Sequence, residues 1–101
     1  ENVTVSFIDY VGSGETVSFT VMPSQSGVWT FTTCANSDTY GYLYDADGNL
    51  LAEDDDGGVN ANFSIAYTLE ANTAYTVCVR WYHAEYAGNM PLLFTWVPVE
   101  Q

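Results

Sequence analysis

Apolar residues recur at every second position along almost the whole chain. A strand places successive side chains on opposite faces, whereas a helix needs apolar residues three and four apart, a spacing that no segment sustains. Clusters of Gly, Pro, Asn, Asp and Ser separate the alternating runs. The sequence therefore predicts an all-β fold of seven or eight short strands, arranged as a two-sheet antiparallel β-sandwich of the jelly-roll type. The alternating apolar runs are Val3, Val5, Phe7; Val17, Phe19, Val21; Trp29, Phe31; Phe63, Ile65, Tyr67, Leu69; Tyr75, Val77, Val79, Trp81; and Leu92, Phe94, Trp96.

The length of the chain suits one hydrophobic core. It has 101 residues, of which 48% are hydrophobic and 16% aromatic, so we expect a folded domain in spite of its acidity. No apolar run approaches the roughly 18 residues of a membrane span. The sequence starts at Glu1 without a Met and ends at Gln101. We expect residues 1–101 to be a single monomeric module within a larger secreted protein.

The charge is strongly negative, with 13 Asp and Glu against one Lys or Arg and a net charge of -12. Such a surface repels phosphate backbones and anionic lipids, so we expect neither nucleic acid nor a membrane as a partner. Neutral polysaccharides, cationic surfaces and metal ions remain as candidate ligands.

Two cysteines, Cys34 and Cys78, are too few for a disulfide scaffold and wrongly spaced for a zinc site. The alternation places both on outer faces, which predicts a disulfide between neighbouring strands; two free thiols are the alternative. Scarce Lys, abundant Tyr, Thr and Asn and the predicted bridge together favour an extracellular location.

Three tyrosines, Tyr40, Tyr42 and Tyr44, share one face of a predicted strand, with Gly41 and Leu43 on the other. Periodicity alone does not say which face is buried. Exposed phenol rings on a rigid sheet stack against the C–H faces of sugars and hydrogen-bond to their hydroxyls, so a ligand-binding strand is one hypothesis. The alternative is that a second stretch of sheet, or cross-strand aromatic pairing, covers some of the rings.

A second candidate segment is Arg80 to Tyr86. Arg80 and Tyr82 fall on the face opposite Val79, and the following loop carries Tyr86. Loops at the ends of a sandwich often carry recognition, so Arg80, Tyr82 and Tyr86 are further candidate ligand-binding residues. Trp81 continues the inward series, and we expect it to pack in the core.

Acidic segments raise the question of calcium. Residues 45–49, DADGN, read as a hairpin turn in which Gly48 takes a positive φ. Asp54, Asp55 and Asp56 have no basic neighbours and form a candidate calcium site, because carboxylates suit hard cations. No other cofactor is expected. The sequence has one His and no nucleophile motif, so we do not expect an enzyme.

A longer pattern carries a resemblance to a known family. The succession GVWTFTT at 27–33, DT at 38–39, LYDADGN at 43–49, DDD at 54–56 and YTLEA at 67–71 resembles the bacterial pre-peptidase C-terminal domain family, to which the collagen-binding domains of clostridial collagenases are related. The resemblance implies a β-sandwich module of a secreted bacterial protein. It also implies that positions 41 and 43 point inward and the tyrosines outward, although Gly41 stands where a larger apolar residue is usual.

The function that we expect is non-catalytic binding of a neutral polysaccharide through exposed tyrosines, in a module of a secreted bacterial enzyme or surface protein. One alternative is a protein-binding or adhesion module, as in the collagen-binding relatives. The other is a structural spacer domain.

Overall fold

The computed structural model describes residues 3–35, 38–55 and 62–98 and contains eight β-strands. None of the described segments is a helix that could cross a membrane. The strands are Val3–Val11 (β1), Val17–Val21 (β2), Gly27–Thr33 (β3), Thr39–Tyr44 (β4), Leu50–Asp54 (β5), Ser64–Leu69 (β6), Tyr75–Trp81 (β7) and Gly88–Pro98 (β8).

The strands form two four-stranded sheets, in the orders β1-β8-β3-β6 and β2-β7-β4-β5. Every pair is antiparallel. The pairs β1 with β8, β2 with β7, β3 with β6 and β4 with β5 are nested one inside the other along the chain. This nesting is the pattern of a long hairpin rolled into two sheets, and it confirms the predicted antiparallel jelly-roll sandwich.

The core lies between the two sheets. The inward series of β7, from Tyr75 to Trp81, is buried at each alternate position. In the other sheet Phe31 and Phe94 are buried with their rings edge to face, 4.9 Å between centroids. Phe19 of β2 meets Phe94 from the opposite sheet, edge to face at 6.4 Å. Removing these apolar surfaces from water is the main force that holds the sheets together.

A glycine in the middle of β4 makes room for a core ring. Gly41 is buried, and a Cβ built on it would collide with the ring of Phe63, which is itself fully buried. The Phe63 ring, which precedes β6 in the chain, therefore fills the space that a side chain at position 41 would occupy. The absence of a side chain at position 41 thus has a packing reason.

Hydrogen bonds to the Asp45 side chain hold the turn between β4 and β5. One carboxylate oxygen of Asp45 accepts hydrogen bonds from the backbone N–H groups of Asp47 and Asn49, each at 2.9 Å. Gly48 has a φ of 86°, which favours glycine. The pairing register shifts between Leu43 and Tyr44, so the hairpin contains a β-bulge. The turn has the conformation that its sequence predicts.

The predicted disulfide is wrong, because Cys34 and Cys78 are both free. Cys34 follows β3 in one sheet, whereas Cys78 lies within β7 of the other. Stacked sheets are about 10 Å apart. The Cys78 Sγ lies 3.2 Å from the hydroxyl of Ser18, its cross-strand neighbour.

Candidate ligand-binding face

The tyrosines of β4 point outward, as the family resemblance implies. Gly41 and Leu43 are buried, whereas Tyr40, Tyr42 and Tyr44 are only partly buried. The strand β4 lies between β7 and β5, so its outer side is bounded on both sides by a paired strand. The rings therefore stand on a fixed backbone.

Four tyrosine rings form one row on this sheet, and we call the row, together with Arg80, the tyrosine face. Tyr40 and Tyr42 have ring centroids 4.9 Å apart and planes 30° apart. Tyr44 continues the row 6.2 Å beyond Tyr42, and Tyr82 continues it 6.2 Å beyond Tyr40, with planes 25° and 14° apart. At 4.9 Å two rings cannot lie side by side in one plane, so Tyr40 and Tyr42 partly overlap.

This overlap lies within one strand, so it is not the cross-strand pairing of the alternative hypothesis. The row stabilises itself by stacking, and the faces of Tyr40 and Tyr42 are partly covered by protein. The hydroxyl-bearing edges and the two ends of the row are what remains for a ligand. Tyr82 is the more open end, with 44% of its surface exposed.

Arg80 is the only Lys or Arg in the sequence, and it lies within the row. Its guanidinium carbon is 4.7 Å from the centroid of the Tyr40 ring and 5.8 Å from that of Tyr42. Its Nε donates a 2.9 Å hydrogen bond to the Tyr42 hydroxyl, and one terminal nitrogen donates to the carbonyls of Trp81 and Tyr82. The guanidinium group therefore packs against Tyr40 and Tyr42 and holds their rings in place.

Glu53, which the sequence interpretation missed, adds a carboxylate beside the row. The Tyr40 hydroxyl donates a 3.0 Å hydrogen bond to it across the β4–β5 pair. That hydrogen bond raises the pKa of Tyr40 above its ordinary 10.0, and burial and the Glu53 charge act in the same direction. The pKa of Tyr44 is also raised, chiefly by burial. Both phenols are therefore neutral donors at physiological pH.

The loop after β7 extends the aromatic surface beyond Tyr82. The ring of His83 lies 5.2 Å from Tyr82 and 5.2 Å from Tyr86, close to perpendicular in the first contact. Tyr86, 38% exposed, also touches the edge of the buried Trp81 at 6.4 Å. The structure thus brings all six predicted ligand-binding residues onto one continuous surface, and His83 provides the link that the sequence did not reveal.

Two of the three candidate calcium residues, Asp54 and Asp55, lie within the described part of the chain. Asp54 accepts a 2.9 Å hydrogen bond from the backbone N–H of Ser64, which gives its carboxylate a structural partner. Asp56 lies outside the described residues. Within the described ranges no three His, Cys, Asp or Glu side chains are grouped as a metal site. Calcium binding by Asp54, Asp55 and Asp56 stays a prediction.

A second concave surface was not anticipated from the sequence. Trp29 and Trp96 belong to the alternating apolar runs of β3 and β8. Both are only partly buried, and they line an open cleft of about 410 Å³ with the segment Met22 to Gln25. We call this the tryptophan cleft. Periodicity gives the side of the sheet on which a residue lies, but it does not show where the opposite sheet ends.

Comparison with known proteins leaves the family open. A scan against models of known protein families finds none that matches the chain, and a search of curated proteins finds no match. The resemblance to the pre-peptidase C-terminal domain family stays a prediction. The structure defines the chain as an antiparallel jelly-roll β-sandwich.

Proposed function

We propose that the chain is a non-catalytic carbohydrate-binding module, and that a neutral polysaccharide lies along the tyrosine face. The observation that carries the proposal is the row of four nearly parallel tyrosine rings on the outer side of a sheet, fixed by the only Lys or Arg in the chain.

The chemistry of this surface suits a sugar chain. Tyr82 and Tyr86 present exposed aromatic surface at one end, against which the C–H groups of a sugar ring pack. The hydroxyls of Tyr44 and Tyr82 make no hydrogen bond within the described part of the chain, so they are open to sugar hydroxyls. A row of phenol groups suits an extended ligand that carries many hydroxyls.

The charge distribution favours a neutral glycan over an anionic one. Arg80 already donates through Nε and one terminal nitrogen, to Tyr42 and to two backbone carbonyls, which leaves only its other terminal nitrogen for an anionic ligand. The net charge of -12 repels sulfated or uronic-acid polymers. We further propose that the module is extracellular and belongs to a larger secreted bacterial enzyme or surface protein, on the strength of its composition and its family resemblance.

Affinity electrophoresis through gels that contain neutral polysaccharides tests the proposal. Cellulose derivatives, xylan, mannan, β-glucan and starch form the panel. We expect at least one of them to retard the protein, and the variants Tyr42→Ala and Tyr82→Ala to migrate freely. Tyr10→Ala is the matched control, because Tyr10 is also exposed, at 60%, but lies on β1 of the other sheet.

Two outcomes would lead to a different conclusion. If no glycan in the panel retards the protein, the carbohydrate proposal is wrong. Retention on immobilised collagen or another host protein, lost in the same tyrosine variants, would instead favour an adhesion module. A chain that binds neither class would be assigned as a structural spacer.

A further inference from the structure

Three aromatic residues stand in one row across the inner side of the other sheet. Trp29 of β3 pairs directly with Trp96 of β8 and with Tyr67 of β6. Their partners two positions along, Phe31 and Phe94, are in the buried core. These three aromatic residues therefore extend the core-facing side of this sheet to the end of the sandwich.

The opposite sheet does not fully cover this row. Its strand β2 ends at Val21, and the chain then passes through Met22 to Gln25 before β3 begins. The result is the tryptophan cleft, with Tyr67 37% exposed beside it. The wall is held at two points, because Asn72 N–H donates to the Pro23 carbonyl at 2.7 Å and Ala71 N–H donates to the Ser26 hydroxyl at 2.9 Å.

Both indole nitrogens of the cleft are without an acceptor. Nε1 of Trp29 and Nε1 of Trp96 are buried and have no hydrogen-bond partner in the described part of the chain. The third tryptophan behaves ordinarily, since Nε1 of Trp81 donates to the Val11 carbonyl at 2.9 Å. More than nine in ten buried polar groups are paired, because an unpaired buried donor destabilises the folded state. Two such donors, on the two tryptophans that line one cleft, are the feature that a ligand with oxygen acceptors would satisfy.

We propose that the tryptophan cleft is a second carbohydrate subsite, which holds a single neutral sugar ring at a chain end or branch. The indole faces and Met22 pack against the C–H groups of the sugar, and the indole N–H groups donate to its oxygens. Ser24 and Gln25 are exposed at the rim and supply groups for the remaining hydroxyls. A volume of about 410 Å³ lies within the usual range of small-molecule sites.

Access to the nitrogens requires a small movement. Both nitrogens are buried, and Nε1 of Trp96 packs against Gly27, so a sugar oxygen reaches them only after the cleft wall moves. Met22 and the tip at Ser24 and Gln25 are the parts of the wall that we infer to move. Met22 is 62% exposed and has three rotatable side-chain bonds. The tip makes no backbone hydrogen bond among the described residues, whereas Pro23 and Ser26 on either side of it are anchored.

The class of ligand rests on the proposed function, but the site does not. β7 begins at Tyr75, which pairs with the end of β2 beside the cleft, and the next residue, Thr76, pairs with Tyr44. The cleft thus lies at the Tyr44 end of the tyrosine face, on a different side of the molecule. Tryptophan fluorescence distinguishes the two sites, because Trp29 and Trp96 line the cleft whereas the tyrosine face contains no tryptophan.

The test uses the methyl glycosides of glucose, galactose, mannose and xylose as probes and tryptophan fluorescence as the readout. We expect at least one glycoside to shift the emission saturably, and Trp96→Phe to abolish the response. Trp81→Phe is the matched control and keeps it, because its indole is in the core and already bonded. Gln25→Ala leaves the packing intact and should weaken binding about twofold to tenfold, the effect of one lost hydrogen bond.

The outcomes separate the two sites. A response that persists in Tyr42→Ala supports an independent cleft. Polysaccharide retardation without any emission response to the glycosides overturns the cleft and leaves the tyrosine face standing. A response that survives Trp96→Phe and Gln25→Ala also overturns it. If the glycosides and the polysaccharide panel both fail, the subsite and the proposed function fall together. A response to proline-rich peptides alone would refute the sugar assignment.

Discussion

The guanidinium carbon of Arg80 lies 4.7 Å from the centroid of the Tyr40 ring. In a chain with 13 Asp and Glu and one Lys or Arg, no acidic side chain holds this cation within the described residues; it packs on tyrosine instead. Arg80 pairs with Tyr40 in the β-ladder, so cross-strand register brings the two together. The arrangement fixes the rings and makes the outer side of β4 a defined surface.

Replacing Arg80 should therefore loosen the tyrosine face. For Arg80→Ala we expect the free energy of unfolding to fall by about 1.5–3 kcal/mol, the contribution of a hydrogen bond from a charged donor. Retardation by a bound polysaccharide should weaken in the same variant. Arg80→Lys is the control: it keeps the charge but loses the planar fork, so its loss should be smaller. Urea denaturation measures the effect, and an unchanged midpoint in Arg80→Ala would contradict the role assigned to this side chain.

Gly41→Ala should destabilise the fold by overpacking the hydrophobic core. The added methyl collides with the Phe63 ring, and overpacking a core costs about 1–3 kcal/mol. We expect a lower melting temperature in calorimetry. Phe63→Leu in the Gly41→Ala background should recover part of the loss, because the shorter side chain yields the space. If the two single losses simply add, the contact between the two positions is not the cause.

Because the two cysteines are free, a reducing agent should not change the thermal stability of the protein. The melting temperature should be the same with and without a reducing agent, since no bridge joins Cys34 to Cys78. A thiol titration of the native protein should show two unequal reactions. Cys34 is exposed and should react quickly, whereas Cys78 is partly buried beside the Ser18 hydroxyl and should react slowly. Cys34→Ser should retain only the slow reaction; a protein without titratable thiols would restore the disulfide hypothesis.

The cysteines and tryptophans show why sequence reasoning reached the fold but only part of the site. The two-residue period fixes which side of its own strand a residue occupies, and this was sufficient for the strands and the core of β7. It does not say which sheet the strand joins, so Cys34 and Cys78 were placed on outer faces correctly but paired wrongly. The opening beside Trp29 and Trp96 depends on where β2 ends in the other sheet, which no local pattern encodes.

The β4–β5 turn predicts a dependence on acid pH. Hydrogen bonds from the Asn49 backbone, then from its side chain, lower the pKa of Asp45 below the ordinary 3.8. A carboxyl whose pKa is lower in the folded state stabilises the fold above its unfolded pKa, and this contribution is lost as pH falls through the folded pKa. Asp45→Asn should therefore be less stable than the unmodified chain at neutral pH, and the difference should shrink below about pH 3.8. Urea midpoints across the acid range measure it. A difference independent of pH would contradict the mechanism.

The Tyr40–Glu53 pair predicts the opposite dependence at high pH. The hydrogen bond to Glu53 raises the pKa of Tyr40, so the folded state favours the protonated phenol. Its stabilising contribution is fully present below the ordinary pKa of 10.0 and is lost as pH rises through the folded pKa. Glu53→Gln removes the charge and should lower the pKa of Tyr40 towards 10.0, which NMR titration of labelled tyrosine rings would record. Tyr44 is the internal control: its pKa is raised chiefly by burial, with Glu53 the smallest cause, so it should change little. Equal titration of Tyr40 in both proteins would show that the carboxylate does not hold its proton.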